Sequence, residues 1–317
     1  MNVVFMGTPE FACASLAALA ASHHKVLAVV TGPDKPAGRG RKLTACEVKI
    51  RATGLNLPLF QPENLRDDSF VAQMATLKAD VFVVIAFRIL PKKLYVLPPY
   101  GSINIHGSLL PRYRGAAPIN HALLNGETET GLTSFFLTDR VDQGNIIHQV
   151  ATSIGPDENF TSLYNRLSEM AGPFLLESLD LISQPGFAPK NQDESLASPA
   201  PKISPEDGLI DWTKDRRAVH NHIRAYSEKP GAFCFLDDLQ IKILATHMTP
   251  TSDLPHLDAG ELLVTNKKLF VGAGDGPLEI TKVLPQGKKA LDALSFINGY
   301  RIASHRRLLT HGKEVNK

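Results

Sequence analysis

Cysteine is scarce in this chain. Cys13, Cys46 and Cys234 stand far apart in 317 residues and form no C-x-x-C pair. That excludes a disulfide framework and a clustered-thiol metal site, and it fits a reducing compartment where thiols serve as small hydrophobes. Long apolar runs are lacking too. Nothing approaches the ~18 residues a membrane-crossing helix needs, and "VFVVIAF" has the length of a buried strand. The opening "MNVVFMGTPEF" carries no basic n-region and runs directly into strand-like sequence, so a soluble cytoplasmic protein with no membrane partner is expected.

Familiar nucleotide and hydrolase signatures are missing as well. "GTPEF" is not G-x-G-x-x-G, and neither a phosphate-binding G-x-x-x-x-G-K-[ST] nor a G-x-S-x-G elbow occurs. There is no H-E-x-x-H, and His220 and His222 are two apart on a helical pattern, hence on different faces. No metal and no covalent nucleophile are expected. Neither charge sign dominates: 34 Lys and Arg face 32 Asp and Glu, for a net charge of +2. The basic residues are nevertheless gathered locally. "DKPAGRGRK" at 34–42 has four basic side chains and one acid, and residues 282–317 have eight and two. Two basic patches on a near-neutral chain suit a polyanion met at defined places, although solvated surface would look the same.

What is present is an α/β alternation. "NVVFMG", "KVLAVVT", "ADVFVVIAF" and "GSINIH" are apolar runs without polar alternation, as in strands covered on both faces. Helical stretches lie between them; in "TPEFACASLAALAAS", Thr8 can cap and Pro9 suits the first turn. This predicts a doubly wound parallel sheet over residues 1–183. Residues 184–206 carry five prolines and read as an extended linker. From 207 to 317 the texture changes: a helical "TKDRRAVHNHIRAY" precedes short runs such as "AFCFL", "LQIKILATHM", "KLFVGA" and "GPLEITKVL", which predict a small antiparallel barrel.

One strand end carries polar residues suited to chemistry. In "INIHGSLLPRYRG", Asn104 and His106 share a face of the strand at its carboxyl end, where open α/β sheets bind ligands. An amide beside an imidazole can polarise a carbonyl and move a proton. The bland alternative is a solvated histidine with its asparagine in a turn. The Gly- and Pro-stiffened loop that follows offers main-chain groups to a flat heterocycle, and Arg112 and Arg114 can meet an anion. "LTDRVDQGN" supplies Asp139 and Asp142, either of which can simply bond its own turn; Asp142 is also the kind of group that orients an imidazole.

Taken together, "FMGTPEF", "PDKPAGRGRKL", "INIHGSLLPRYRGAAPI", "DQGNII", "SPAPKI" and "QGKKAL" resemble, nearly end to end, the methionyl-tRNA formyltransferase family of the 10-formyltetrahydrofolate-dependent formyltransferases. The resemblance implies a Rossmann-like catalytic domain followed by an OB-type barrel. It implies 10-formyltetrahydrofolate as formyl donor and initiator methionyl-tRNA as acceptor; a monomer is expected to suffice. Asn104, His106 and Asp142 match the family's catalytic trio, and Ser108, Leu109, Leu110 and Pro111 its folate-binding segment. Lys35, Arg39, Arg41 and Lys42 fall in the insertion that meets the tRNA. "AFRILP" at 86–91 departs from the pattern and is expected to reshape the loop beside the pterin; Lys229 departs too, where relatives often have Trp. A formylfolate enzyme with a small amine substrate and a non-catalytic tRNA-binding protein stay open as alternatives.

Overall fold

The computed structural model describes residues 1–37, 42–250 and 253–310. The chain forms two compact units. Met1–Pro118, Glu129–Thr152 and Tyr164–Pro201 make the first; Ile119–Thr128, Ser153–Leu163 and the chain from Lys202 onward make the second.

The chain runs β1 (Asn2–Gly7), α1 (Cys13–Ala20), β2 (Lys25–Val30), β3 (Lys35–Ala37), β4 (Lys42–Thr44), α2 (Glu47–Gly54), β5 (Leu59–Phe60), α3 (Asp68–Thr76), β6 (Val81–Ile85), α4 (Lys92–Tyr95) and β7 (Ser102–His106). It continues through α5 (Pro118–Leu124), β8 (Glu129–Phe136), β9 (Ile146–Ser153) and α6 (Phe160–Ser183). The main sheet is ordered β5-β2-β1-β6-β7-β8-β9. From β5 to β7 every pair is parallel, as the continuous apolar runs predict. The strand beyond departs from that expectation, because β8 runs antiparallel to β7.

Burial explains the sequence of the central strands. All five residues of β6 are buried, and Val3 to Met6 of β1 are fully so. Val4, Met6, Phe82 and Val84 pack with Phe70 and Met74 of α3 and Leu94 of α4 on one side; each such side chain contributes roughly 1.5–3 kcal/mol. Gly7 ends β1 where a Cβ would lie 2.8 Å from that of Ala12, so the glycine of "GTPEF" serves close packing. The first helix differs from expectation. Pro9 precedes a 3₁₀ turn at Glu10–Ala12 and α1 begins only at Cys13, while the Thr8 hydroxyl accepts from the Gly32 amide at 3.4 Å instead of capping.

Much of the proline-rich stretch is tied down. Lys190 exchanges backbone hydrogen bonds with Ile146, and Ser198 and Ala200 exchange them with the 111–117 loop. A 3₁₀ turn at Glu194–Leu196 lies between these attachments.

The second unit continues with α7 (Arg216–Ala225), β10 (Phe233–Leu236), β11 (Leu239–His247), β12 (Leu262–Thr265), β13 (Lys268–Ala273), β14 (Gly276–Pro285), β15 (Leu291–Asp292), α8 (Ala293–Tyr300) and β16 (Leu308–Leu309). The strands are ordered β12-β13-β14-β11-β10-β16. The two ends of that sheet meet, because Leu308 donates to the Gly260 carbonyl and Leu262 to that of Arg306. These bonds nearly close the sheet and give the expected antiparallel barrel. Ile241, Leu269, Val271, Leu278, Ile280 and Val283 fill its interior.

Candidate active site

β1 has β2 on one side and β6 on the other, so the winding of the sheet reverses beside it, and ligands of such sheets bind outside the carboxyl ends of the strands. β7 carries its polar pair to that edge. Asn104 lies opposite Val84 of β6 and Phe135 of β8, and His106 lies opposite Thr133. Their neighbours Ile103 and Ile105 are buried on the other face.

His106 is buried, and its Nε2 lies 2.7 Å from the carbonyl oxygen of Tyr113. A carbonyl only accepts, so Nε2 carries the proton and Nδ1 is the free position of the neutral ring. Nδ1 faces Asp142 Oδ2 at 3.8 Å, an ion-pair distance too long for a hydrogen bond. Among the described residues Nδ1 has no hydrogen-bond partner, nor has the half-buried side chain of Asn104. The structure therefore leaves one imidazole nitrogen and one amide uncommitted on the same strand face, with a carboxylate 89% buried beside the ring.

Backbone constraint fixes that carboxylate. Asp142 adopts the left-handed region at φ 55°, and the Gly115 amide donates to its Oδ2 at 2.9 Å. Gly115 itself has φ 129° and no room for a side chain, since a Cβ would sit 2.4 Å from the Ala200 carbonyl oxygen. Two residues past Asp142, a Cβ on Gly144 would fall 1.6 Å from the Phe136 carbonyl oxygen. Glycine is needed at both points for close backbone approach. Sequence reading missed two participants, the Tyr113 carbonyl and the Gln192 side chain; a backbone acceptor and a glutamine in a proline-rich stretch carry no motif.

The folate-matching segment divides in two. The Ser108 hydroxyl donates to the Arg112 carbonyl, and Leu110 is buried with Phe135 and Ile146. Leu110 also donates its amide to Thr133 and accepts from Gln149. Leu109 and Pro111 stay half-buried. Arg114 is not available to an anionic ligand as the sequence suggested, because it is held by Gln192 and, through two nitrogens, by Glu194. Arg112 is exposed and lies over the Tyr113 ring at 5.4 Å. Asp139 is a structural tie: it accepts from Tyr95 Oη, which pushes that phenol up to about 12 and holds the carboxyl below the usual range. Arg88, the departure in the 86–91 loop, donates to the carbonyls of Pro62 and Glu63 and so fastens that loop to the backbone after β5.

Of the residues matched to tRNA binding, Lys35 is exposed and begins the β3–β4 hairpin, and Lys42 sits in β4 opposite Ala37. Arg39 and Arg41 lie outside the described residues. In the C-terminal basic stretch Arg306 and Arg307 are paired with Asp237 and Asp258, whereas Lys282, Lys288 and Lys289 are exposed. Among the described residues, His23, His24 and Asp180 bring three metal-ligating atoms together, at the amino end of β2 and away from the His106 edge.

Comparison with known proteins agrees with this architecture. The family model described as formyl transferase matches residues 1–179, and the one described as its C-terminal domain matches 202–301. A protein named methionyl-tRNA formyltransferase from Citrifermentans bemidjiense is 42% identical over 95% of this chain and 94% of its own length. One of the same name from Chlorobium chlorochromatii is 43% identical over 95% and 98%. The fold recurs in an N-formyltransferase from Helicobacter canadensis, solved with folinic acid and dTDP-3-aminofucose; TM-score is 0.65 and identity 19%, covering 88% of this chain and 97% of that one. It recurs also in HypX from Aquifex aeolicus, solved with tetrahydrofolic acid, at TM-score 0.63 and 17% identity; that match covers 96% of this chain and 48% of the longer one. On the two family matches and the full-length identity, the chain belongs to the methionyl-tRNA formyltransferase family.

Proposed function

We propose that this enzyme transfers a formyl group from 10-formyltetrahydrofolate to the α-amino group of methionine esterified to initiator tRNA, and so supports translation initiation. The observation that carries the chemistry is His106, with Nε2 fixed on a carbonyl and Nδ1 free, 3.8 Å from Asp142 and on the strand face that also carries Asn104. The donor set fits the folate's formyl group: Asn104 offers an amide N–H with no partner among the described residues, and the ring offers a second donor once it is charged.

When bound, the folate supplies the carbonyl carbon that the amine attacks. A free α-amino group has a pKa of ~8 and is mostly protonated at neutral pH, so the attacking amine must shed a proton. The ammonium releases one proton to solvent before attack, and His106 Nδ1 holds the lone pair able to take the second as the new C–N bond forms and the C–N10 bond breaks. Asn104 and the protonated ring donate to the carbonyl oxygen as it gains negative charge, and the ring passes its proton toward the leaving nitrogen. Asp142 stabilises the charged ring from 3.8 Å.

Ser108–Pro111 holds the folate, presenting the half-buried Leu109 and Pro111. Lys35, Arg39, Arg41 and Lys42 meet the acceptor end of the tRNA. A monomer in the cytoplasm suffices, and no membrane is involved; no helix among the described residues is long and apolar enough to cross one.

The test is formyl transfer from 10-formyltetrahydrofolate onto initiator methionyl-tRNA, onto elongator methionyl-tRNA and onto free methionine. Strong preference for the first supports the reading. Transfer to a small amine, or tRNA binding without turnover, would replace it with one of its rivals. Lys35→Ala should reduce the slope of log affinity against log salt by about one phosphate contact, close to 0.7–0.9.

A further inference from the structure

Gln192 uses its whole hydrogen-bonding capacity on the loops that carry the site. Its Nε2 donates to the carbonyls of Asp142 at 2.9 Å and Gly144 at 2.8 Å. Its Oε1 accepts from Arg114 Nε at 3.0 Å and Nη2 at 2.7 Å. A carboxamide has two N–H donors and two lone pairs, so the group is saturated. Only an amide satisfies this arrangement, because a carboxylate cannot donate to the two carbonyls and an ammonium cannot accept from the guanidinium.

Those four bonds join three separated parts of the chain. Asp142 and Gly144 flank the turn in which Asp142 holds its left-handed backbone. Arg114 lies between Tyr113, whose carbonyl holds His106 Nε2, and Gly115, whose amide holds Asp142 Oδ2. Arg114 is anchored in turn on Glu194, and its backbone bonds to Ser198 and Ala200.

We propose that Gln192 is a positioning residue for formyl transfer: by bonding the Asp142 and Gly144 carbonyls while gripping Arg114, it sets the separation between the Asp142 carboxylate and His106 Nδ1. This deepens the function proposed above and rests on the reading of Asp142 as part of the reacting group. Gln192 touches no reacting atom; it holds the carboxylate in register with the ring. A small misplacement of a catalytic group can lower turnover by about 100-fold.

The test compares Gln192→Met, which keeps the stem and removes all four bonds, with Gln192→Glu, which keeps the Arg114 contacts and removes the two carbonyl bonds. Both are measured alone and combined with Asp142→Asn, at a temperature where thermal melts show each variant folded. We expect kcat to fall about 10–100-fold in both single variants, with KM for methionyl-tRNA changed less than threefold. In the Asp142→Asn background the Gln192 substitutions should cost little further, because they act through the group already disabled. Wild-type kcat in both single variants, or a loss confined to Gln192→Met, would overturn the proposal. So would an undiminished loss in the double variants. If Gln192→Met does not fold, Gln192→Glu carries the same test. Failure of the functional reading is distinct: Asp142→Asn by itself would then turn over at the wild-type rate.

Discussion

Two of the buried histidines each lie near an aspartate and bond a backbone carbonyl, yet they differ in what their second nitrogen meets. His106 lies with Nδ1 3.8 Å from Asp142, and His220 lies with Nε2 3.6 Å from Asp157. Each ring gives its Nε2 proton to a backbone carbonyl, Tyr113 for the first and Pro156 for the second. The difference is at Nδ1. The His220 Nδ1 lies 2.9 Å from the Thr246 hydroxyl, so both nitrogens of the neutral ring are satisfied, and burial pushes its pKa below the ordinary value. Among the described residues the His106 Nδ1 has no hydrogen-bond partner. Proximity of histidine and aspartate therefore does not identify a site; what sets His106 apart is an uncommitted ring nitrogen at the sheet edge where folds of this class bind ligands.

The largest effect should come from exchanging the two roles. We expect His106→Ala to lower turnover by about 10²–10⁴-fold, the usual contribution of a positioned acid–base group, with tRNA affinity nearly unchanged. His220→Leu should leave turnover of the folded enzyme within about twofold, since a satisfied structural histidine contributes nothing to proton transfer. Single-turnover rates with tRNA binding measured in parallel check both. Comparable losses from the two variants would break the comparison. Next in size is Asn104→Ala, expected to cost about 10²–10³-fold in kcat as a lost donor to the developing oxyanion. Asp142→Asn should also lower kcat, by at least about tenfold, whereas Asp157→Asn should not. Asp157 is half-exposed and shared with His247, as suits a surface tie.

Much of the first unit was legible because period and burial coincide. "VFVVI" is buried at every position, and a fully covered parallel strand tolerates no polar alternation. Asn104 and His106 were legible as a pair because strand geometry dictates that residues two apart share a face. β8 and β9 were not read from the sequence, although "IIHQVATS" alternates partly buried and exposed residues from His148 onward and so carried the signal. The grip of Gln192 on Asp142 and Gly144 left no trace in the sequence. The partners are 50 and 48 residues apart, and no local rule says which loops of a doubly wound sheet will meet. The basic stretches were legible as charge but not as availability, since Arg306 and Arg307 are already paired with acids of their own unit.

The smallest expected effect falls on His220 and is read by pH and not by rate. The pKa of His220 in the folded protein lies below its ordinary 6.5 because burial disfavours the charged ring. As pH falls below 6.5 the unfolded chain takes up this proton before the folded one does, so the group's contribution to stability, complete above that pH, is progressively lost toward the folded pKa. His222 is shifted in the same direction by burial, so the wild-type slope of stability against pH has more than one source. His220→Leu should lower stability at neutral pH by about 1–3 kcal/mol, through the Thr246 and Pro156 groups left unpartnered, and should flatten that slope without removing it. Denaturant unfolding of wild type and variant at a series of pH values between 5 and 8 reads both quantities (roughly the window in which an unperturbed histidine titrates). An unchanged slope would mean that His220 is not held neutral by burial.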